Sequence, residues 1–127
     1  MMYEEDPIKI LIGKTLTKIT VSENNAEIRF ETDDGEKYLM YHNQDCCESV
    51  SIDEIIGDLD DLIGIPILDA REENNIDKPQ RDKYDESFTW TFYIIATIKG
   101  TVTLRWYGSS NGYYSESVDF TQIEKEN

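Results

Sequence analysis

The sequence predicts an α+β fold: a single domain over residues 1–127, with about six to seven strands in mostly antiparallel, twisted sheets, packed with one amphipathic helix at residues 52–63. Three observations predict it. Alternating apolar and polar segments are separated by Asp-Gly and Asn-Gly turns, the strongest short-range hairpin signal. Ile52, Ile55, Ile56, Leu59, Leu62 and Ile63 fall at i, i+3, i+4, i+7, i+10 and i+11, one apolar stripe at the helical period. The chain has 127 residues, 14 of them aromatic, which suits one domain with one core.

The elements follow in order. Leu16, Lys18 and Thr20 alternate with Thr17, Ile19 and Val21, and Ala26, Ile28 and Phe30 alternate with Glu27, Arg29 and Glu31. Between them Ser22-Glu23-Asn24-Asn25 is turn chemistry. Asp33-Asp34-Gly35-Glu36 turns the chain again, and a third strand from Lys37 to Asn43 completes a meander. The helix comes next. Ser51-Ile52-Asp53-Glu54 fits a capping box with Ser51 as N-cap, while Gly64 and Pro66 end the helix.

The polar face of that helix carries Asp53, Glu54, Asp58, Asp60 and Asp61. Asp53 and Glu54 suit a helix start, but Asp58, Asp60 and Asp61 would sit at the negative end of the dipole. No Lys or Arg lies four residues away to compensate, and Gly57 costs about 1 kcal/mol relative to alanine. These five acids are the candidate partner-binding residues.

Ile65 to Arg71 reads as a strand, and Glu72 to Glu86 as a polar, mobile loop. Phe88, Trp90, Phe92, Ile94, Ala96 and Ile98 then share one face of a strand whose other face is also largely apolar, which places it centrally in a sheet. Lys99-Gly100 turns it into Val102, Leu104 and Trp106, and Ser109-Ser110-Asn111-Gly112 turns that into a last strand from Tyr113 to Phe120. Residues 124–127 read as a frayed tail.

Charge excludes several functions. The formal net charge is −15, which repels nucleic acid and anionic membranes and attracts basic proteins. The N-terminus is acidic where a signal peptide is basic, and no apolar run reaches the roughly 18 residues of a membrane span. Cys46 and Cys47 are adjacent, and their Cβ atoms diverge on an extended chain, so both are expected as free thiols in a reducing, cytoplasmic compartment. No phosphate-binding loop, dinucleotide fingerprint, nucleophile elbow or zincin helix is present. No cofactor, resident metal or catalytic residue is therefore assigned.

Two runs are candidate ligand sites. His42-Asn43-Gln44-Asp45-Cys46-Cys47-Glu48 gathers the one His, both Cys and two acids; His42, Gln44, Asp45 and Glu48 are its candidate ligand-binding residues. A zinc site built on His42, Cys46 and Cys47 would need carboxylates to complete it, because no other His or Cys exists. A Cys nucleophile with His42 as base is the other chemical reading. The second run, from Arg105 to Tyr114, is rich in Tyr, Ser, Gly and Asn, the residues of adaptable recognition surfaces. Arg105 and Tyr107 share a strand face that could stack a base or hold a phosphate, with Asn111, Tyr113 and Tyr114 beside them. Cross-strand aromatic pairing is the ordinary alternative.

Two stretches carry a family resemblance. One is Tyr41-His42-Asn43-Gln44-Asp45-Cys46-Cys47-Glu48-Ser49-Val50, followed by Gly57-Asp58-Leu59-Asp60-Asp61-Leu62. The other runs from Thr89-Trp90-Thr91-Phe92-Tyr93 through Arg105-Trp106-Tyr107-Gly108 to Asn111-Gly112-Tyr113-Tyr114-Ser115. Together they resemble a family of small proteins of unknown function found in phages and bacteria, over about residues 10 to 120. The resemblance transfers no catalytic residue. It implies a setting in which small phage proteins inhibit host machinery, host defence included, by binding a protein or sequestering a signal molecule.

The sequence therefore predicts a non-enzymatic binding protein, a phage-type inhibitor or adaptor whose acidic helix face engages a basic host protein. The first alternative is a sponge for a nucleotide-like signalling molecule, a reading compatible with a homodimer that builds sites between subunits. The second is a small metal- or thiol-dependent protein using His42, Cys46 and Cys47.

Overall fold

The computed structural model describes residues 6–74 and 80–125. Their strands are β1 (Leu16–Val21), β2 (Glu27–Thr32), β3 (Glu36–Tyr41), β4 (Ser49–Ile56), β5 (Asp69–Asn74), β6 (Ser87–Thr97), β7 (Gly100–Ser110) and β8 (Asp119–Lys125). They form two four-stranded antiparallel sheets, ordered β1-β2-β3-β8 and β4-β7-β6-β5. Single 3-10 turns at Pro7–Leu11 and Leu59–Leu62 are the helical elements of the described residues.

The fold is thus β, and the expected α+β class with its helix at 52–63 is corrected. The reason lies at Asp53. On β4, Ile52 pairs with Trp106 but Glu54 already pairs with Arg105, so Asp53 is an extra, bulged residue. Val50 and Ile52 face the core in strand alternation. The bulge then shifts the phase, and Ile55 returns to the core face opposite Leu104. A bulged strand thereby puts apolar residues at i and i+3, the spacing of a helix. The segment is also rich in β-branched residues, which favour a pleated surface. Gly57 has φ +111°, far from helical values, and ends the strand. Ser51 caps nothing; Asp58 caps the 3-10 turn instead, its carboxylate accepting from the Asp60 N–H at 2.9 Å.

Other boundaries also move. β5 begins four residues later than the expected strand at Ile65–Arg71, because Pro66 offers no N–H and Leu68 N donates to Ala96 O from an irregular connection. A strand from Tyr113 to Phe120 pairing with β7 does not form. β7 already lies between β4 and β6, so it has no free edge for a further partner. Residues 111–118 instead cross to the other sheet, where β8 pairs with β3. The expected loop at 72–86 begins inside β5, and 75–79 lie outside the described residues. Of the expected frayed tail, Glu124 and Lys125 belong to β8 and 126–127 lie outside the described residues.

The β1–β2, β2–β3 and β6–β7 hairpins stand where their turn residues predict; the one expected at Asn111-Gly112 does not form. In the β1–β2 turn, Ser22 Oγ accepts from Ala26 N at 3.1 Å and Glu27 N at 3.0 Å, while Asn25 takes φ +57°. Both sheets feed one buried cluster: Phe30, Tyr38 and Met40 from one, Tyr93, Leu104 and Trp106 from the other. Trp106 Nε1 donates across it to Met40 Sδ at 3.2 Å. Ile8, Leu11 and Leu62, all fully buried, close its margins from the two 3-10 turns. A smaller cluster of Trp90, Phe92 and Tyr107 lies on the opposite, outer face of the second sheet, with Phe88 packed against it.

Candidate functional site

Two places gather the chemistry. The first is the connection between β3 and β4. Its organising group is Glu48, whose side chain is fully buried. Glu48 Oε2 lies 2.7 Å from His42 Nε2 and accepts from Asp45 N at 2.8 Å, and Oε1 accepts from Cys46 N at 2.9 Å. Gln44 Nε2 donates to the Glu48 carbonyl at 2.8 Å and closes the loop. The hydrogen bond from His42, assisted by these backbone amides, outweighs burial and holds the carboxyl down at about 2.

Glu48 is therefore an acceptor only. The other ring nitrogen, His42 Nδ1, lies 2.6 Å from the carbonyl oxygen of Ser117, again an acceptor only. Both ring nitrogens are thus held against oxygen acceptors, one on the Glu48 carboxylate and one on the Ser117 carbonyl. A His that spends both nitrogens in this way has none to offer a metal or a thiol. Cys46 and Cys47 are joined to each other in a disulfide, which corrects the expectation of free thiols. The premise of an extended chain fails because both residues lie in a bend. Among the described residues no three His, Cys, Asp or Glu side chains are placed to hold a metal ion. A shallow polar cleft of about 320 Å³ borders the loop, lined by His42, Asn43, Gln44 and Asp45 against Ser115, Ser117 and Asp119.

The second place is the outer face of the second sheet. The antiparallel register aligns Trp90 with Tyr107 and Phe92 with Arg105, and across the other edge Glu54 with Arg105. Asp53, thrown out of register by the bulge, reaches the same face. Arg105 Nε donates to Asp53 Oδ2 at 3.0 Å and Arg105 Nη2 to Glu54 Oε1 at 2.6 Å. The guanidinium also lies 5.5 Å from the centre of the Trp90 ring. Residues 80–86 fold back over this face. Arg81 stands over the Tyr107 ring at 4.5 Å, and its Nη1 donates to Asp53 Oδ1 at 3.1 Å. The Tyr107 hydroxyl accepts from Arg81 N at 3.0 Å and donates to Asp85 Oδ2 at 2.5 Å. Burial pushes Asp53 up, but the two arginines outweigh it and hold the carboxyl below the usual range. Burial and the neighbouring Asp85 push the Tyr107 hydroxyl up, so it stays a donor.

The expected site residues therefore divide. His42, Gln44, Asp45 and Glu48 come together, while Arg105 and Tyr107 share the outer face, as the alternation predicts. Neither Asn111 nor Tyr113 joins them: Asn111 Oδ1 accepts from Tyr113 N in a local turn, and Tyr113 is 87% exposed. Tyr114 is half-buried in the same connection, where its carbonyl accepts from Ser110 Oγ. The five acids do not form a helix face. Asp53 and Glu54 pair with arginines on β4, whereas Asp58, Asp60 and Asp61 stand at the 3-10 turn.

Three participants escaped sequence reasoning: Arg81, Asp85 and Glu116. Glu116 is buried, accepting from Thr89 Oγ1 at 2.8 Å and Ser110 Oγ at 2.5 Å, and it anchors the crossing connection. The signal for Arg81 and Asp85 was the apolar outer face of β6, which needs a cover.

The chain belongs to the family described as Domain of unknown function (DUF7448), whose model matches residues 9–120. No curated protein and no solved structure matches it. No helix among the described residues is long and apolar enough to cross a membrane.

Proposed function

We propose that this member of a family without an assigned activity is a non-enzymatic binding protein that engages a basic partner protein through its acidic surface. A phage-type inhibitor or adaptor acting on a host protein fits that reading. The observation that carries it is the acidic turn after β4. Asp58 and Asp60 are exposed and Asp61 is half-buried within four residues, and none of the three takes part in a salt bridge among the described residues. The nearby Lys99 ammonium donates to the Ile63 carbonyl at 3.1 Å instead. Three uncompensated carboxylates on a chain of net charge −15 cost self-repulsion that a cationic partner relieves. The sponge reading gains no such support, because Arg105 is already neutralised by Asp53 and Glu54.

The test is binding to an oligo-lysine peptide and to basic host proteins between low and physiological salt. Affinity should fall steeply as salt rises. Replacing Asp58, Asp60 and Asp61 together by Asn retains a capping oxygen at position 58 and should weaken binding about tenfold at low salt. Salt-insensitive binding, or an unchanged affinity in the triple variant, would remove the acidic turn from the account.

A further inference from the structure

The outer face of the second sheet holds a cation that belongs to the chain itself. The Arg81 guanidinium stands over the Tyr107 ring, 4.5 Å from its centre, with Asp53 Oδ1 at 3.1 Å from its Nη1. Asp53 Oδ2 is fixed by Arg105, so the other oxygen is presented to Arg81. An aromatic face beside an oriented carboxylate is the arrangement that recognises a guanidinium, whose plane stacks while its edge donates. A lysine ammonium has no plane with which to do both.

We infer that the place occupied by Arg81 is an arginine-recognition site, filled by the chain's own 80–86 segment and open to an arginine of a basic partner. This rests on the reading that the partner is basic. The hold of the segment is light. The Arg81 side chain is 46% exposed, and the ties of the segment to the face are the Asp53 ion pair, the ring contact and the two hydrogen bonds at the Tyr107 hydroxyl. Exposed ion pairs of this kind contribute little. The surroundings favour replacement by another guanidinium over an anion, since Glu54 stands beside the seat with 54% of its side chain exposed. A tethered occupant scales the apparent affinity for a free one down to the fraction of time it leaves the seat empty. Emptying the seat should therefore strengthen binding of an outside arginine.

The experiment titrates the full chain with a short oligo-arginine peptide and with oligo-lysine of equal length. Arg81→Ala should bind oligo-arginine about tenfold more tightly than the parent, with a much smaller change for oligo-lysine. Lys83→Ala makes the same change in charge away from the seat and should not reproduce the gain. Tyr107→Phe keeps the ring but removes the hydroxyl that ties down Arg81 N and Asp85; it should also gain. Adding Asp53→Asn to Arg81→Ala should abolish the gain. A gain of equal size in Lys83→Ala or for oligo-lysine would reduce the effect to net charge and overturn the inference. So would unchanged oligo-arginine affinity in both Arg81→Ala and Tyr107→Phe with native thermal midpoints. A functional reading that failed would look different, with salt-insensitive binding of basic proteins by the parent while Arg81→Ala still gained.

Discussion

Glu48 receives hydrogen bonds from His42, Asp45 N and Cys46 N, and each of them favours its ionised form. Its folded value of about 2 lies below the ordinary 4.5. A depressed carboxyl stabilises the fold fully above its unfolded value and loses that contribution as pH falls through the folded one. The parent should therefore melt higher than Glu48→Gln by a constant margin from pH 7 down to about 5. The margin should shrink between about 4.5 and about 2. Thermal midpoints across that range decide it, and a margin independent of pH would mean that Glu48 acts by shape alone. Gly57 presents a different kind of residue-scale constraint. It combines φ +111° with a position where a Cβ would lie 2.7 Å from Thr101 O, whereas Gly112, at φ +94°, has open space. Both Gly→Ala changes should destabilise through backbone strain, and Gly57→Ala by about 1–3 kcal/mol more than Gly112→Ala. Denaturant unfolding of the two variants reads the difference. At this scale the sequence was informative about two turns: Asn25 and Gly35 take positive φ where turn chemistry predicts a reversal, whereas Gly112 takes it in a connection that crosses to the other sheet and not in the expected hairpin. It singled out Glu48 as a candidate but not its burial, since nothing local distinguishes a clamped carboxylate from a solvated one.

At the scale of elements, legibility depended on whether a segment's pattern was set by its own backbone or by a partner. The β1–β2–β3 meander and the long β6–β7 hairpin are local in sequence, and period-two alternation with turn residues was enough to place them. β4 was misread because its phase is reset by a bulge at Asp53, and nothing before pairing marks where an extra residue will be inserted. β8 was misread because its partner, β3, lies far back in the chain, and β7 looked like the natural neighbour. The helix and strand readings of 52–63 make opposite claims about Ile56. On a helix it would belong to the buried stripe; on β4 it points outward opposite Thr103, 45% exposed, while Leu62 in the following turn is fully buried. Ile56→Thr should therefore change stability by no more than about 0.5 kcal/mol. Leu62→Ala should cost about 2–5 kcal/mol. Chemical denaturation of both variants separates the two architectures. The candidate sites divide in the same way: the His42–Glu48 cluster is contiguous and could be read, whereas the Asp53–Arg105–Arg81 cluster needed the bulge, the β4–β7 register and the fold-back of 80–86.

At the scale of the molecule, two electrostatic effects compete. Local ion pairs such as Arg105 with Asp53 and Glu54 are stabilising, and salt weakens them. Against them stands the mutual repulsion of 27 acids set against 12 bases, which salt relieves. Among the described residues the Lys and Arg pairs are few and partly exposed, so each contributes about 0–1 kcal/mol. The repulsion is summed over the whole surface and acts over the Debye length, which falls from about 30 Å at 0.01 M salt to about 8 Å at 0.15 M. Repulsion should dominate. The thermal midpoint should then rise by several degrees, about what 1 kcal/mol shifts in a domain of this size, as sodium chloride is raised over that interval. The same screening should weaken capture of a basic partner, so stability and binding should move in opposite directions with salt. Scanning calorimetry and a binding titration on one salt series test both together. If the midpoint fell with salt, local pairs would outweigh net charge, and the acidic surface would be a set of satisfied contacts with no drive toward a cationic partner.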